Sequence, residues 1–233
     1  MPTLLTFGAR NVGRVLAREL AGDGWNIAGV ARTQETINTF RQEVPDALGI
    51  VADATSPAEV ERAFAETRER FGNVDLLVNA ITNGPRGGSI VDLPEDALDR
   101  YLHDLLPAIF NVVRIGSRVL VENGSGTFVQ MTGGSARRGM PKRGPWAATA
   151  FATRALTQSV AAELRERNVH VALLIVDAII ESEKTADWLK GDPAEKSASM
   201  EDVVRAIGYL HEQSPRAWTH ELQLTPALER WVP

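Results

Sequence analysis

The sequence has no cysteine, which excludes disulfides and thiolate metal ligands and suits a reducing cytoplasm. Long apolar runs are also missing. The longest, Val171 to Val176, is far short of the roughly 20 residues that span a bilayer, so no membrane partner is expected. The N-terminus lacks a basic segment leading into an apolar one, so no secretory signal is expected either. Positive charge is in deficit, 25 Lys and Arg against 30 Asp and Glu for a net charge of -5, which argues against nucleic acid as a partner. Histidine is scarce, and His170 and His220 have no second ligand at a metal-like spacing; no metal site is expected. Tyrosine is scarcer still, with Tyr101 and Tyr209 the two present. What remains is ordinary globular material, 44% hydrophobic and 24% charged, enough for one large α/β domain or two small ones.

The stretch Leu4 to Leu20 sets the pattern for the rest. Leu4-Leu5-Thr6-Phe7 reads as a buried strand that stops at Gly8, and a helix begins near Val12, with Val15, Leu16 and Leu20 at helical spacing. A strand, a tight glycine turn and a helix open a βαβ unit. The free amides and dipole of the helix N-terminus favour a phosphate there. The turn holds two glycines, Gly8 and Gly13, where a dinucleotide fingerprint has three, so a purely structural turn stays open as an alternative.

Further strands are expected at Trp25–Ala31, Leu48–Ala52, Val74–Val78, Thr127–Met131, Val169–Val176 and Thr219–Leu224. Between them, Thr33 caps a helix that ends before Pro45, and Ser56-Pro57-Ala58-Glu59 is a capping box for a helix ending at Gly72. The loop Asn79 to Gly88 is rich in Gly, Asn and Pro. Two long helices are expected at 94–122, kinked by Pro107, and at 145–167. Residues 177–198 form a polar connection long enough to be a substrate lid, and a helix follows over 200–213. Strands alternating with helices from end to end predict one doubly wound α/β domain, 1–233, with a parallel seven-stranded sheet flanked by helices.

Four strings give this pattern a family likeness. TFGARNVGRVLAREL, ERFGNVDLLVNAI, TFVQMTG and RALTQSVAAELRERNVHVALLIVDAI resemble the glycine turn, the NNAG strand, the serine strand and the post-tyrosine helix of the short-chain dehydrogenase/reductase family. The resemblance implies a Rossmann-type fold, a small-molecule substrate and a homodimer or homotetramer built through the two long helices. It also implies an NADP(H) site: Gly8, Asn11 and Gly13 in the turn, and Arg10 and Arg32 at the positions that meet a 2′-phosphate. Asp53 matches the adenine contact, Asn79 the first asparagine of NNAG, and Ser182 the hydroxyl that meets the carboxamide. Arg32 also leaves no acid at the end of its strand to take a ribose 2′-OH. Solvated surface arginines, and a plain turn aspartate at Asp53, are the alternatives.

At the catalytic positions the likeness fails. Aligning strand and helix sets Leu105 at the family's asparagine, Gly133 at the serine, Trp146 at the tyrosine and Ala150 at the lysine; Asp177-Ala178 replaces Pro-Gly. Four residues beyond Tyr101 and Tyr209 stand Leu105 and Gln213, so neither tyrosine has a lysine one turn on. Trp146 can donate a hydrogen bond and stack on a flat substrate, but it cannot give up a proton. Thr132 and Ser135 flank the serine position as hydrogen-bond donors. Arg137, Arg138, Lys142 and Arg143 could hold an anionic substrate, with Lys142 a proton source, or form a solvated basic loop. His103 could face the site or lie on the helix surface. Three readings follow: an NADP(H)-dependent oxidoreductase slow or inactive on ordinary ketones, a non-redox enzyme on the same fold, or a non-catalytic NADP(H)- or partner-binding protein.

Overall fold

Short, largely apolar segments separated by capped amphipathic helices suit a parallel sheet with helices on both faces. A computed structural model describes residues 1–82 and 87–229 and has that arrangement. In chain order the elements are β1 (Thr3–Phe7), α1 (Val12–Gly22), β2 (Asn26–Ala31), α2 (Gln34–Glu43), β3 (Leu48–Val51), α3 (Pro57–Phe71) and β4 (Leu76–Asn79). Then come α4 (Leu106–Asn123), β5 (Gly126–Gly133), α5 (Gly144–Leu164), β6 (Val169–Val176), β7 (Ile179–Ile180), α6 (Ala186–Leu189), β8 (Ser197–Ala198), α7 (Met200–His211) and β9 (Glu221–Leu224). Seven strands form one sheet in the order β3-β2-β1-β4-β5-β6-β9, with every pairing parallel. The expected seven-stranded doubly wound sheet is therefore present. Chain order reverses between β1 and β4, which opens a crevice at their carboxyl ends.

Apolar side chains fill both faces of the sheet. On one side Leu5, Phe7 and Leu77 pack with Phe64 of α3 and Val112 and Ile115 of α4. On the other, Leu4, Leu76 and Leu174 pack with Leu16 of α1, Phe40 of α2 and Ile207 of α7. Thr33, Ser56 and Ser199 cap α2, α3 and α7 with their side-chain oxygens, as the capping residues in the sequence predict for the first two.

One expectation needs correction. The helix over 94–122 is not continuous: a 3₁₀ turn at Glu95–Leu98 and a π turn at Arg100–Leu105 precede α4, which starts at Leu106. Pro107 has no N–H to donate and its ring crowds the carbonyl four residues back, so the chain upstream widens into the π turn in place of a kink. The polar connection 177–198 carries short elements of its own. β7 and β8 pair in parallel and close a flap that carries α6. Part of the Asn79–Gly88 loop, residues 83–86, lies outside the described residues.

Candidate active site

The glycine turn sits at the crevice. Gly8 has φ +103, and a Cβ there would press on the Ala80 carbonyl; a Cβ on Gly13 would collide with the carbonyl oxygen of Gly8. Both positions need glycine for close approach of backbone to backbone. Amides of Gly8 and Ala9 donate to the Val30 carbonyl and that of Arg10 to Gly8, leaving those of Asn11 and Val12 without a backbone acceptor among the described residues. No side chain caps α1, so its N-terminus is open to an anion. Arg10 and Arg32 are both exposed beside the turn.

Asn11 has φ 46 and ψ -119, a conformation that glycine adopts without strain and asparagine does not. We expect Asn11→Gly to stabilise the fold by about 1 kcal/mol, the relieved strain less the added unfolded-state entropy. A shift of the urea midpoint to higher concentration checks it, and a shift to lower concentration refutes it.

The other proposed cofactor contacts lie along the same carboxyl edge. Asp53 Oδ1 accepts from the amide and hydroxyl of Thr55, as a turn aspartate does. Asn79 is fully buried; its amide donates to Gln130 Oε1 and its Oδ1 accepts from the Ile81 amide, so it ties β4 to β5. Ser182 lines a cavity of about 350 Å³ under the flap, with Glu181, Ala186, Leu189, Asp192 and Ser197, and its hydroxyl lies 2.9 Å from Thr185 Oγ1.

The four expected catalytic positions fall at the ends of the π turn and β5 and the start of α5. A Cβ on Gly133 would stand 3.9 Å from Cζ2 of Trp146, so the serine and tyrosine positions adjoin. Leu105 and Ala150 are buried. Tyr101, not among the expected site residues, packs its buried ring against Trp146 with centroids 6.1 Å apart. Its i, i+4 spacing to Leu105 was the signal available. Thr132 is half-buried. Ser135 is shut inside the 3₁₀ turn after β5, and its hydroxyl has no partner among the described residues.

The basic loop is not a free anion cradle. Arg138 forks onto Asp177, Nη1 to Oδ2 at 3.0 Å and Nη2 to Oδ1 at 3.2 Å. Arg137 pairs with Glu221 at 3.4 Å, and Arg154 forks onto the same carboxylate at 2.7 and 2.9 Å. Arg154 also donates to the Ala136 carbonyl. Lys142 and Arg143 remain exposed, and Lys142 has φ 64. His103 is on the surface, 3.9 Å from Asp99. Burial pushes the Asp177 carboxyl above its ordinary range, while Arg138 pulls it back. For Glu221, burial opposes the charge but hydrogen bonds from Arg154 and Gln158 outweigh it and hold the carboxyl low.

The sequence matches the short chain dehydrogenase family over residues 3–192. This chain belongs to the short-chain dehydrogenase family. It is 28% identical over 210 residues to dehydrogenase/reductase SDR family member 4 of Sus scrofa, covering 88% of this chain and 75% of that protein. It is also 28% identical over 173 residues to an NADPH-dependent pterin aldehyde reductase of Arabidopsis thaliana, covering 73% of this chain and 72% of that one. Levodione reductase superposes with a TM-score of 0.86 at 20% identity, over 97% of this chain and 96% of that one. A gluconate 5-dehydrogenase from Burkholderia cenocepacia, solved with NADP and tartrate, superposes with a TM-score of 0.82 at 24% identity, over 99% and 96% of the two chains. Among the described residues no helix is long and apolar enough to cross a membrane, and no group of three or more His, Asp or Glu is placed to hold a metal.

Proposed function

We propose that this short-chain dehydrogenase is an NADP(H)-dependent oxidoreductase with a non-standard active site, slow or inactive on ordinary ketones. The cofactor, when bound, supplies or accepts a hydride at the nicotinamide ring. The observation that carries its fit is the uncapped α1 N-terminus behind a turn where a Cβ on Gly8 or Gly13 would fill the cradle. Amides of Asn11 and Val12 take the pyrophosphate, Arg10 and Arg32 the 2′-phosphate, Asp53 the adenosine end and Ser182 the carboxamide. Asn79 braces the edge beneath them.

Hydride delivery to a carbonyl leaves charge on oxygen and calls for a positioned proton donor. Leu105, Gly133, Trp146 and Ala150 offer none; Trp146 offers an indole N–H and a flat face. A substrate that carries its charge in advance, such as an iminium, or an activated alkene eases that demand. Lys142, exposed in the loop before α5, and half-buried Thr132 at the end of β5 remain the candidate substitutes. Exposed Leu102, Phe110 and Phe151 around α4 and α5 support a homodimer or homotetramer through those helices.

Fluorescence titration with NADPH tests the reading. Binding with hydride consumption supports it, and binding without turnover on any charged or activated acceptor moves the protein to a non-catalytic role. We expect Arg10→Ala with Arg32→Ala to weaken NADPH roughly tenfold or more while leaving NADH unchanged, since only the 2′-phosphate loses its charged donors. Equal weakening of both cofactors would show that the arginines do not read that phosphate. One observation favours non-redox chemistry as the second reading: Asp177, a buried acid, follows directly on β6 at the carboxyl edge.

A further inference from the structure

Three of the four histidines gather around the start of β6, far from the glycine turn, and no step of the proposed reaction uses them. His170 of β6 is 3% exposed and its Nε2 donates to the Thr219 carbonyl at 2.9 Å. Its ring lies flat on Trp218, centroids 5.0 Å apart and planes 2° apart. With Nε2 as donor, Nδ1 is left as an acceptor, and it meets no partner among the described residues. Both ring nitrogens of His220 are likewise buried without a partner among them. These nitrogens border a cavity of about 20 Å³, room for one water, closed by Ala161, Arg165 and Trp218. Gln213 pins the strip from outside, accepting from the Thr219 amide and donating to its hydroxyl.

The strip Trp218-Thr219-His220 runs straight into Glu221, the carboxylate that holds Arg137 and Arg154, and Arg154 in turn holds the Ala136 carbonyl of the turn after Gly133. His220 Nε2 stands 4.0 Å from Glu221 Oε1. We propose that His170, Trp218 and His220 form a proton-operated latch on the start of β9 that sets how firmly the 134–138 turn of the active site is held. A proton taken at Nδ1 of His170 is a charge placed in a desolvated, water-sized space that Arg165 and His220 also line, where burial penalises it. Asp75 before β4, His211 and Glu212 at the end of α7, and Glu221 complete the charged surroundings. His211 is 3.1 Å from Thr127 Oγ1 and edge-on to Trp25. The ring leaves the Trp218 stack, the strip follows, and Glu221, the next residue, loosens its hold on Arg137.

Burial depresses the affinity of His170 for a proton, against the Thr219 carbonyl held by Nε2 and the influence of the Leu210 backbone, both of which raise it. A base depressed in the folded state contributes fully above its unfolded value of 6.5 and costs stability as pH falls below it, because the unfolded chain takes the proton first. Acid therefore opens the latch. Emission of Trp218, taken as wild type minus Trp218→Phe from about pH 8 to about pH 5, is expected to fall below the ordinary histidine range. His170→Asn is expected to abolish the change. Amide exchange of residues 134–138 is expected to rise in acid in the wild type and not in His170→Asn. Flat emission, or a transition that survives in His170→Asn, overturns the latch; so does loss of far-UV circular dichroism at the same midpoint. Emission that changes without exchange at 134–138 overturns the coupling. Should His170→Asn not fold, the imidazole resonance of His170 in the wild type decides, since it must titrate with the Trp218 midpoint.

Discussion

Gly133→Ser, Trp146→Tyr and Ala150→Lys, made together, are expected to raise reduction of a simple ketone by about 10²–10⁴-fold, the usual worth of positioned acid–base help. The backbone allows it. Gly133 has φ -104 and ψ 174, which any residue adopts, and a Cβ there meets only the Val176 carbonyl at 3.8 Å and Trp146 at 3.9 Å. Tyrosine in place of Trp146 loses volume next to that new serine. Lysine at the buried Ala150 site, one turn beyond Trp146 on α5, must run its stem along the helix toward its end. Steady-state turnover with NADPH, in wild type and triple variant of equal cofactor affinity, checks the prediction. A triple variant that binds NADPH and stays inert on every simple ketone would show that the alignment of β5 and α5 with the family's catalytic segment is wrong. Any single substitution is expected to do little, because donor and cation act as one unit.

Much of the fold is legible in the sequence because each decisive signal is local. β1, β4 and β6 are runs of apolar residues bounded by glycine or aspartate, and Ser56-Pro57-Ala58-Glu59 fixes the start of α3 within four residues. The π turn at Arg100–Leu105 is less so. A proline at 107 announces a disturbance, but kink and π turn differ only in how the turns upstream pack, and Tyr101 packs against Trp146, 45 positions away in the chain. The ion pairs are further from reach. Arg138 and Asp177 are 39 residues apart and Arg154 and Glu221 are 67 apart, with nothing in either neighbourhood to announce the partner. A basic loop reads as solvated or substrate-holding for the same reason: charge is visible in a sequence, and its neutralisation is a property of the fold. Positions of the candidate site follow from the likeness; which side chains there are free follows only from the packing.

The largest loss of stability is expected from Asp177→Ala. Asp177 is 5% exposed and the side chain of Arg138 is 14% exposed, so the pair is screened little by water. Removing the carboxylate leaves a nearly buried guanidinium with Glu229 at 3.9 Å as its nearest remaining ion-pair partner among those described. Breaking a buried pair from one side costs about 3–5 kcal/mol, and the cost here falls on the turn after β5, since Asp177 also packs on Gly134 where any Cβ would collide with it. The pair need not be stabilising in itself, because two desolvated charges can repay no more than their own burial. Asp177→Leu with Arg138→Leu together is therefore expected to recover most of the loss. Urea unfolding of the two variants separates these statements. If Asp177→Ala unfolds within about 0.5 kcal/mol of wild type, as a surface substitution does, Arg138 has another home and the clamp on the turn is not made by this pair. If the double variant is as unstable as the single, the ion pair stabilises the fold outright and the argument from desolvation fails.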